Sequence, residues 1–182
     1  MMTATTNTTT VTPQGKMVTG LFDDRASAER AYESLSGRGY DKDDVNLVMS
    51  DETRKTHFGT GAQTELGTKA AEGAGVGGAI GGTVGAVLAA IAAVGTTIAI
   101  PGLGLVIAGP LAAAIAGAGA GGAAGGLVGA LVGWNMPEER VKQYEAGIRK
   151  GGILMGVRSR TDADSTFFKD EWKKHNAKDV YA

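Results

Sequence analysis

The sequence contains 65 consecutive residues without a charged side chain, between Glu72 and Glu138. This block also holds 19 of the 30 glycines in the 182-residue chain. The overall glycine content is about twice the usual share, and no collagen-like period of three accompanies it. An uncharged stretch of this length has to be buried in protein or in lipid. The block therefore separates two charged flanks that differ from it in composition.

The residues before the block predict a strand, a helix and a second strand. The first strand candidate is Lys16–Phe22, and Asp23-Asp24 then offers an N-cap for a helix. Apolar residues at helical spacing follow, and Gly37 and Gly39 end the pattern. The second strand is Val45–Met49, with alternate residues on one side. The predicted buried face of the helix consists of Ala28, Ala31, Tyr32 and Leu35.

The residues after the block predict a helix, a strand and a second helix. Pro137 suits the start of a helix, and Glu138-Glu139 suits its positive N-terminal end. Gly151-Gly152 ends this helix before the strand Ile153–Val157. A helix at Asp162–His175 and a short edge strand at Asp179–Tyr181 complete the pattern. The predicted buried residues of the two helices are Val141, Tyr144 and Ile148, then Phe167, Phe168 and Trp172.

Together the flanks predict an α+β fold, a split ferredoxin-like βαβ…αβα domain interrupted by a long Gly/Ala-rich helical hairpin. The predicted boundaries are 1–15 for a disordered Thr-rich tail, 16–50 and 136–182 for the split domain, 51–72 for a polar linker and 73–134 for the hairpin. If the flanks share one core, its members are Val18, Phe22, Leu35, Leu47, Tyr144, Ile148 and Met155.

Two glycine series inside the block repeat every four residues. On a helix this spacing places the glycines along one face, where another backbone can approach closely. The sequence therefore predicts helices at Gly73–Ile100 and Leu111–Trp134, joined by the breakers Pro101-Gly102 to Gly109-Pro110. We predict helix packing and self-association at Gly73, Gly77, Gly81, Gly85, Gly117, Gly121, Gly125, Gly129 and Gly133.

The hairpin has two possible surroundings. Either helix is long enough to cross a hydrocarbon layer of ~30 Å, and the cations Lys69, Arg140 and Lys142 flank the block whereas its loop has none. The positive-inside tendency then places both termini in the cytoplasm and the loop around Gly104 on the far side. However, Ala118–Gly126 contains only alanine and glycine, which anchor weakly in lipid. A soluble homo-oligomer with the hairpins as a shared core is the alternative.

Two stretches resemble the bacterial general stress protein family (17M-like, heat- or low-temperature-induced proteins). These are VTGLFDDRASAERAYESLSGRGYDKDDVNLVMSDETR near the start and the run from IPGLGLVIAGPL to RKGGILMGVRSR. The resemblance covers about residues 16–160. It implies a split α+β domain around a hydrophobic Gly/Ala-rich segment, in a stress-associated and often membrane-associated protein. It supplies no catalytic residues.

No pattern in the sequence indicates an enzyme. Cysteine is absent, only His57 and His175 are present, and a net charge of −1 does not favour nucleic acid as a partner. Two GxGxxG matches, starting at Gly73 and Gly117, follow no predicted strand. We therefore predict no catalytic residue, cofactor or metal site.

The predicted function is that of a non-enzymatic stress-response protein, self-assembling and bound to membrane lipid through its hairpin. We predict its location as the bacterial inner membrane, with the α+β domain in the cytoplasm. The alternatives are a soluble, cytoplasmic homo-oligomer and a ferredoxin-like small-molecule sensor, the latter by analogy of fold alone.

Overall fold

The computed structural model describes residues 15–58, 97–100, 104–112 and 136–182. In chain order the elements are β1 (Met17–Phe22), α1 (Arg25–Ser36), β2 (Val45–Ser50), α2 (Asp51–Phe58), β3 (Thr97–Ile100), β4 (Leu105–Ala108), α3 (Glu138–Arg149), β5 (Ile153–Arg158), α4 (Asp162–Lys174) and β6 (Lys178–Tyr181).

The strands form one six-stranded sheet in the order β3-β4-β2-β5-β1-β6. Each strand is antiparallel to its neighbours. β1 and β2 therefore run parallel to each other on either side of β5, as a strand–helix–strand unit requires. This confirms the α+β class predicted from the sequence.

Strands β1, β2, β4 and β5 are buried on both faces, so the body has two hydrophobic clusters. On the first face, Val18, Phe22, Leu35, Leu47 and Met155 pack with residues of α1, α2 and α4. On the second face, residues of α3 pack against Leu21, Val48, Ile107 and Leu154.

The single core predicted from the sequence is therefore wrong in part. Tyr144 and Ile148 belong to the second face, and the other five predicted members belong to the first. The reason is that successive residues of a strand point to opposite faces of the sheet. Because β1, β2 and β5 are buried along almost their whole length, they supply both clusters.

The β3–β4 hairpin corrects the predicted helical hairpin. The four residues of β3 were expected to end a helix, and those of β4 were expected to lie in its loop. Instead, β3 pairs with β4 and β4 pairs with β2. β-Branched residues on both sides of Pro101–Gly104 favour paired strands with a turn between them. The helical turn at 110–112 does begin close to the predicted start of the second helix.

The position of this hairpin changes the expected topology. The Asp51 N–H donates to the carbonyl of Gly104 at 2.8 Å, and Asp51 directly follows β2. Gly104 thus lies against the α+β body, although the spanning hypothesis placed it across a membrane from that body.

The start of the predicted 51–72 linker is helical. The Ser50 hydroxyl accepts a hydrogen bond from the Thr53 N–H at 3.0 Å, as an N-cap does. Acidic residues occupy the first turn of α2 and basic residues its last turn. Phe58 is 1% exposed and anchors the end of the helix on the first face. This buried aromatic residue holds in place a helix whose sequence looks like a solvated linker.

Replacing Gly147 with alanine is expected to destabilise the body, although alanine favours a helix by about 1 kcal/mol. A Cβ at Gly147 would lie 2.1 Å from Leu21 Cδ2, and Leu21 is 4% exposed with little room to move. We expect the free energy of unfolding to fall by about 1–3 kcal/mol in urea titration. On a Leu21→Ala background, the same substitution should be neutral or stabilising. If Gly147→Ala raised the free energy of unfolding of the otherwise wild-type protein, that result would contradict this close packing of α3 on β1.

Candidate functional site

The predicted self-association residues lie outside the described part of the chain. This holds for the series Gly73, Gly77, Gly81 and Gly85 and for the series Gly117, Gly121, Gly125, Gly129 and Gly133. The points at which the glycine-rich segments leave and rejoin the body are described. We call these points the segment junctions: Phe58, Thr97, Ala112 and Met136. They form the candidate functional site.

A buried asparagine fixes the junction after β4. The Leu111 N–H donates to Asn46 Oδ1 at 2.7 Å, and Asn46 Nδ2 donates to the Gly156 carbonyl at 3.4 Å. Asn46 is 5% exposed. Since the first N–H groups of a helix have no partner within it, Asn46 satisfies one of those at 110–112. It thereby ties the start of the second glycine-rich segment to β2 and β5.

Gly109 forms the corner before this junction. Its φ of +101° lies in a region that L side chains rarely adopt, and a Cβ there would lie 2.3 Å from the Val45 carbonyl oxygen. Only glycine permits so close an approach to β2 with this backbone conformation. The corner turns the chain from β4 towards Ala112, which is fully buried on the second face.

The chain returns to the body on the same face. Met136 is 5% exposed and belongs to the same second-face cluster as Ala112. α3 starts two residues later and buries Val141, Tyr144 and Ile148 in that cluster. The 23 residues between Ala112 and Met136 therefore begin and end on one face of the sheet.

An arginine fixes the junction after α2. Arg25 donates from Nη1 to the His57 carbonyl at 2.6 Å, and its guanidinium carbon lies 5.0 Å from the centre of the Phe58 ring. It also pairs with Glu29 at 2.5 Å. A cation that binds a carbonyl in the last turn of a helix stabilises that end of the helix. The first glycine-rich segment thus also leaves the body at a fixed point.

A buried tyrosine connects α3 to the C-terminal strand. The Tyr144 hydroxyl donates to the Asp179 carbonyl at 2.5 Å. It lies 2.9 Å from Thr19 Oγ1, and because its one proton is already used, Thr19 is the donor in that bond. Burial raises the pKa of Tyr144, and the Thr19 bond only partly offsets this effect. The hydroxyl therefore stays neutral and joins α3, β1 and β6.

A second polar network joins the α1–β2 loop to the start of α4. Asp164 accepts hydrogen bonds from Arg38 at 2.7 Å, Tyr40 at 3.0 Å and Thr161 at 2.9 Å. Burial acts to raise the pKa of Asp164, but these hydrogen bonds together outweigh it and lower the pKa below its ordinary value. Tyr40 in turn accepts from the Arg160 N–H at 2.6 Å. Asp164 is thus the centre of a structural network with its bonding capacity in use.

Asp164→Asn is expected to destabilise the protein at neutral pH by about 1–3 kcal/mol, because it weakens three hydrogen bonds to a carboxylate. A lowered folded-state pKa gives a stabilisation that is present above the unfolded pKa, about 3.9, and is lost as pH falls through the folded value. The difference between wild type and variant in urea unfolding should therefore shrink below about pH 4. Asp162→Asn is the matched control, since the Asp162 side chain is 86% exposed. If the difference in free energy of unfolding between wild type and Asp164→Asn did not depend on pH, that result would contradict the role of the Asp164 carboxylate in this network.

The α1–α4 groove is a depression of about 570 Å³ between these two helices. Most of its charged residues bind one another or nearby groups, including Arg30, whose guanidinium donates to the Ser27 hydroxyl at 3.0 Å. Glu171 pairs with Lys174 at 2.8 Å and with His175 at 3.5 Å, and the Arg38 guanidinium lies 3.9 Å from the centre of the Phe167 ring. These contacts make the groove a structural seam between α1 and α4.

His175 and two aspartates of the α1–β2 loop make contacts that serve the local structure. His175 caps the C-terminal end of α4, and Asp41 and Asp44 bind backbone N–H groups of their own turn. Among the described residues, no group of three or more His, Cys, Asp or Glu could hold a metal ion. Of the helices in these same parts of the chain, none has the length and apolar character that a membrane span requires.

No protein-family model matches this chain, and comparisons with curated proteins and with solved structures find no match. The resemblance to general stress proteins therefore stays a prediction.

Sequence reasoning did not find the residues that fix the junctions. Asn46 could have been noticed as a lone polar residue in the apolar run VNLVM. Gly109-Pro110 was interpreted as a helix breaker, although it is also the corner that follows a strand. Arg25 gave no comparable signal, because an arginine in the first turn of a helix is usually a solvated side chain.

Proposed function

We propose that this chain is a non-enzymatic stress-response protein that associates with membrane lipid and with other copies of itself through its glycine-rich segments. The observation that carries the proposal is the set of segment junctions. Phe58, Ala112 and Met136 are buried in the body, and β3 is paired into its sheet. The α+β body thus presents two glycine-rich segments, of which the second, 113–135, is uncharged throughout.

We assign the body a ferredoxin-like arrangement. Two units, β1-α1-β2 and β5-α4-β6, interleave in the strand order β2-β5-β1-β6, and α1 contacts α4 on the first face. This order supports the assignment, with α3 and the β3–β4 hairpin as additions on the second face and at one edge. The arrangement supports no particular chemistry, because such folds have many functions.

Chain length favours contact with a membrane from one side only. A helix needs about 20 residues to cross the hydrocarbon layer, so crossing and returning takes about 40. The segment between Ala112 and Met136 has 23 residues. The segment between Phe58 and Thr97 has 38 residues, but only the 24 that follow Glu72 are uncharged. Since each segment starts and ends at the body, neither has an uncharged run long enough to cross the bilayer and return.

Self-assembly is proposed from the spacing of the glycines. Each glycine inside a helix costs about 1 kcal/mol relative to alanine, and eight of them lie between Ala112 and Met136. Helices of this composition need close packing against another backbone to be stable. A second copy of the chain can supply such a backbone. The proposed location is the cytoplasmic side of the bacterial inner membrane, and a soluble cytoplasmic assembly is the alternative.

Vesicle flotation and native mass measurement test these two properties separately. The full chain is mixed with phosphatidylethanolamine–phosphatidylglycerol vesicles, and its oligomeric state is measured with and without them. We expect flotation and a discrete oligomer. The double variant Gly77→Leu, Gly81→Leu should reduce the oligomer, because added side chains hold the backbones apart.

The matched control is the double variant Gly78→Leu, Gly82→Leu, which changes the same stretch by the same amount on another helix face. Equal effects of the two variants would contradict packing through the four-residue series. An oligomer that does not float would support the soluble alternative, and a monomer that does not float would overturn both. The stress role requires that the cellular amount of the protein rises after heat, cold or osmotic shift. A constant amount under all three would contradict it.

A further inference from the structure

The two outermost strands of the sheet, β3 and β6, differ in sequence and in regularity. Each has four residues and, among the described strands, pairs on one side only. β6 contains the charged residues Lys178 and Asp179, both exposed, and its register with β1 shifts between Thr19 and Leu21. Asp179 also has a φ of +51°, outside the extended geometry of a regular strand. Charges and irregularities of this kind prevent a further strand from adding at an edge.

β3 has none of these protective features. Its sequence, TIAI, contains no charged residue and three β-branched residues, and its register with β4 is unbroken over all four. Half of the backbone N–H and C=O groups of an antiparallel strand point away from its neighbour. The outer edge of β3 therefore has a regular row of donors and acceptors, and the ligand that fits such a row is another extended strand.

We propose that β3 pairs antiparallel with β3 of a second copy of this chain, so that one continuous sheet joins two bodies. A second copy fits this edge because two identical strands pair antiparallel about a two-fold axis, which makes the contact self-complementary. Since β3 has no charged residue, this pairing brings no like charges together across the strands. The joined sheet has twelve strands, six from each copy.

This inference rests on the proposed self-association and adds a contact of the α+β body to it. Four residues from each copy make a small interface, which is typical of weak association. Two copies that are already held together by their glycine-rich segments meet at a high effective concentration, so a weak second contact forms readily. Thr97, the first residue of β3, is itself a segment junction, so β3 directly adjoins the first of these segments in the chain.

Disulfide formation between chains tests the proposal, because the full chain contains no cysteine of its own. A single cysteine is placed at each of the four β3 positions in turn, and every variant must keep the unfolding midpoint of the wild type. The variants are mixed in pairs and oxidised, and mass spectrometry identifies which positions are linked. The oligomer mass is measured in the same samples before oxidation. Val180→Cys in β6 is the matched control at the opposite edge of the sheet.

The expected result is the disulfide pattern of antiparallel strands, in which a later position of one copy links to an earlier position of the other. For fully overlapping strands, Thr97→Cys links to Ile100→Cys, and Ile98→Cys links to Ala99→Cys. The yields of these links should exceed that of Val180→Cys with itself several-fold.

An oligomer whose β3 cysteines link no better than Val180→Cys would overturn the pairing and leave self-association through the glycine-rich segments intact. A chain that is monomeric before oxidation would overturn both, and the mass measurement identifies that case separately. If the variants lose the wild-type midpoint, hydrogen exchange of the unsubstituted protein decides. The β3 amides should exchange several-fold more slowly in the oligomer than in diluted, monomeric protein, and equal rates would overturn the pairing.

Discussion

A cysteine at Gly104 is expected to react with a membrane-impermeant reagent from the same side as a cysteine on the α+β body. The Gly104 carbonyl accepts a hydrogen bond from Asp51, and β4 is paired with β2. The turn therefore cannot lie across a bilayer from the body while the sheet is intact. The chain contains no cysteine, so single-cysteine variants report on one site each.

Lys142→Cys on the exposed side of α3 is the matched control. No atom lies within 4 Å of a Cβ at Gly104, so the added side chain meets no neighbour, and its φ of +62° costs about 1–2 kcal/mol. Pro110→Cys, also exposed, provides a second site without that strain. In sealed inverted and right-side-out vesicles, all three cysteines should show the same sidedness. Labelling of Gly104→Cys and Lys142→Cys from opposite sides would restore the spanning hairpin.

The local elements of the body could be predicted because their signals are local. Asp24 accepts a hydrogen bond from the Ser27 N–H at 2.8 Å and caps α1, as the Asp-Asp pair suggested. The spacing of Tyr32 and Leu35, and that of Tyr144 and Ile148, identified the buried helix faces. Capping residues and apolar periodicity act within a few turns of chain, so sequence alone contains them.

The β3–β4 hairpin could not be predicted in the same way. Apolar runs as short as TIAI and LVIA suit a buried strand as well as part of a buried helix. What decides between them is the pairing of β4 with β2, for example Leu47 with Ala108, across about 60 residues of chain. The uncharged surroundings and the four-residue glycine spacing made the whole block look helical. A tertiary partner thus decided the structure where local pattern was ambiguous.

The candidate site was predictable only in part for the same reason. The glycine-rich segments are evident from composition, but their junctions depend on contacts between distant residues. Asn46 meets Leu111 over 65 positions, and Arg25 meets His57 over 32. Neither partner can be identified from spacing. The topology of the segments, which decides how they can meet a membrane, follows from these contacts.

Gly109→Ala is expected to destabilise the protein far more than Gly104→Ala. Both glycines flank β4 and both have positive φ, +101° at Gly109 and +62° at Gly104. They differ in the space around them. A Cβ at Gly104 meets nothing within 4 Å, whereas a Cβ at Gly109 would lie 2.3 Å from the Val45 carbonyl oxygen and 3.1 Å from the Asn46 Cα. Comparing Gly104→Ala with Gly109→Ala therefore separates the destabilisation caused by backbone strain from that caused by a steric clash with β2.

For Gly104→Ala we expect a loss of about 1–2 kcal/mol, the cost of left-handed backbone for a residue with a Cβ. For Gly109→Ala we expect the free energy of unfolding to fall by more than about 4 kcal/mol. Neither the β2 backbone nor an alanine at this φ can move away without further destabilising the fold. Urea unfolding measures both losses. Hydrogen exchange at the Leu111 amide should also accelerate in the Gly109 variant alone, since moving the corner breaks the bond to Asn46. Equal losses in the two variants would mean that the corner does not hold the second segment on β2, and the fixed junction would have to be abandoned.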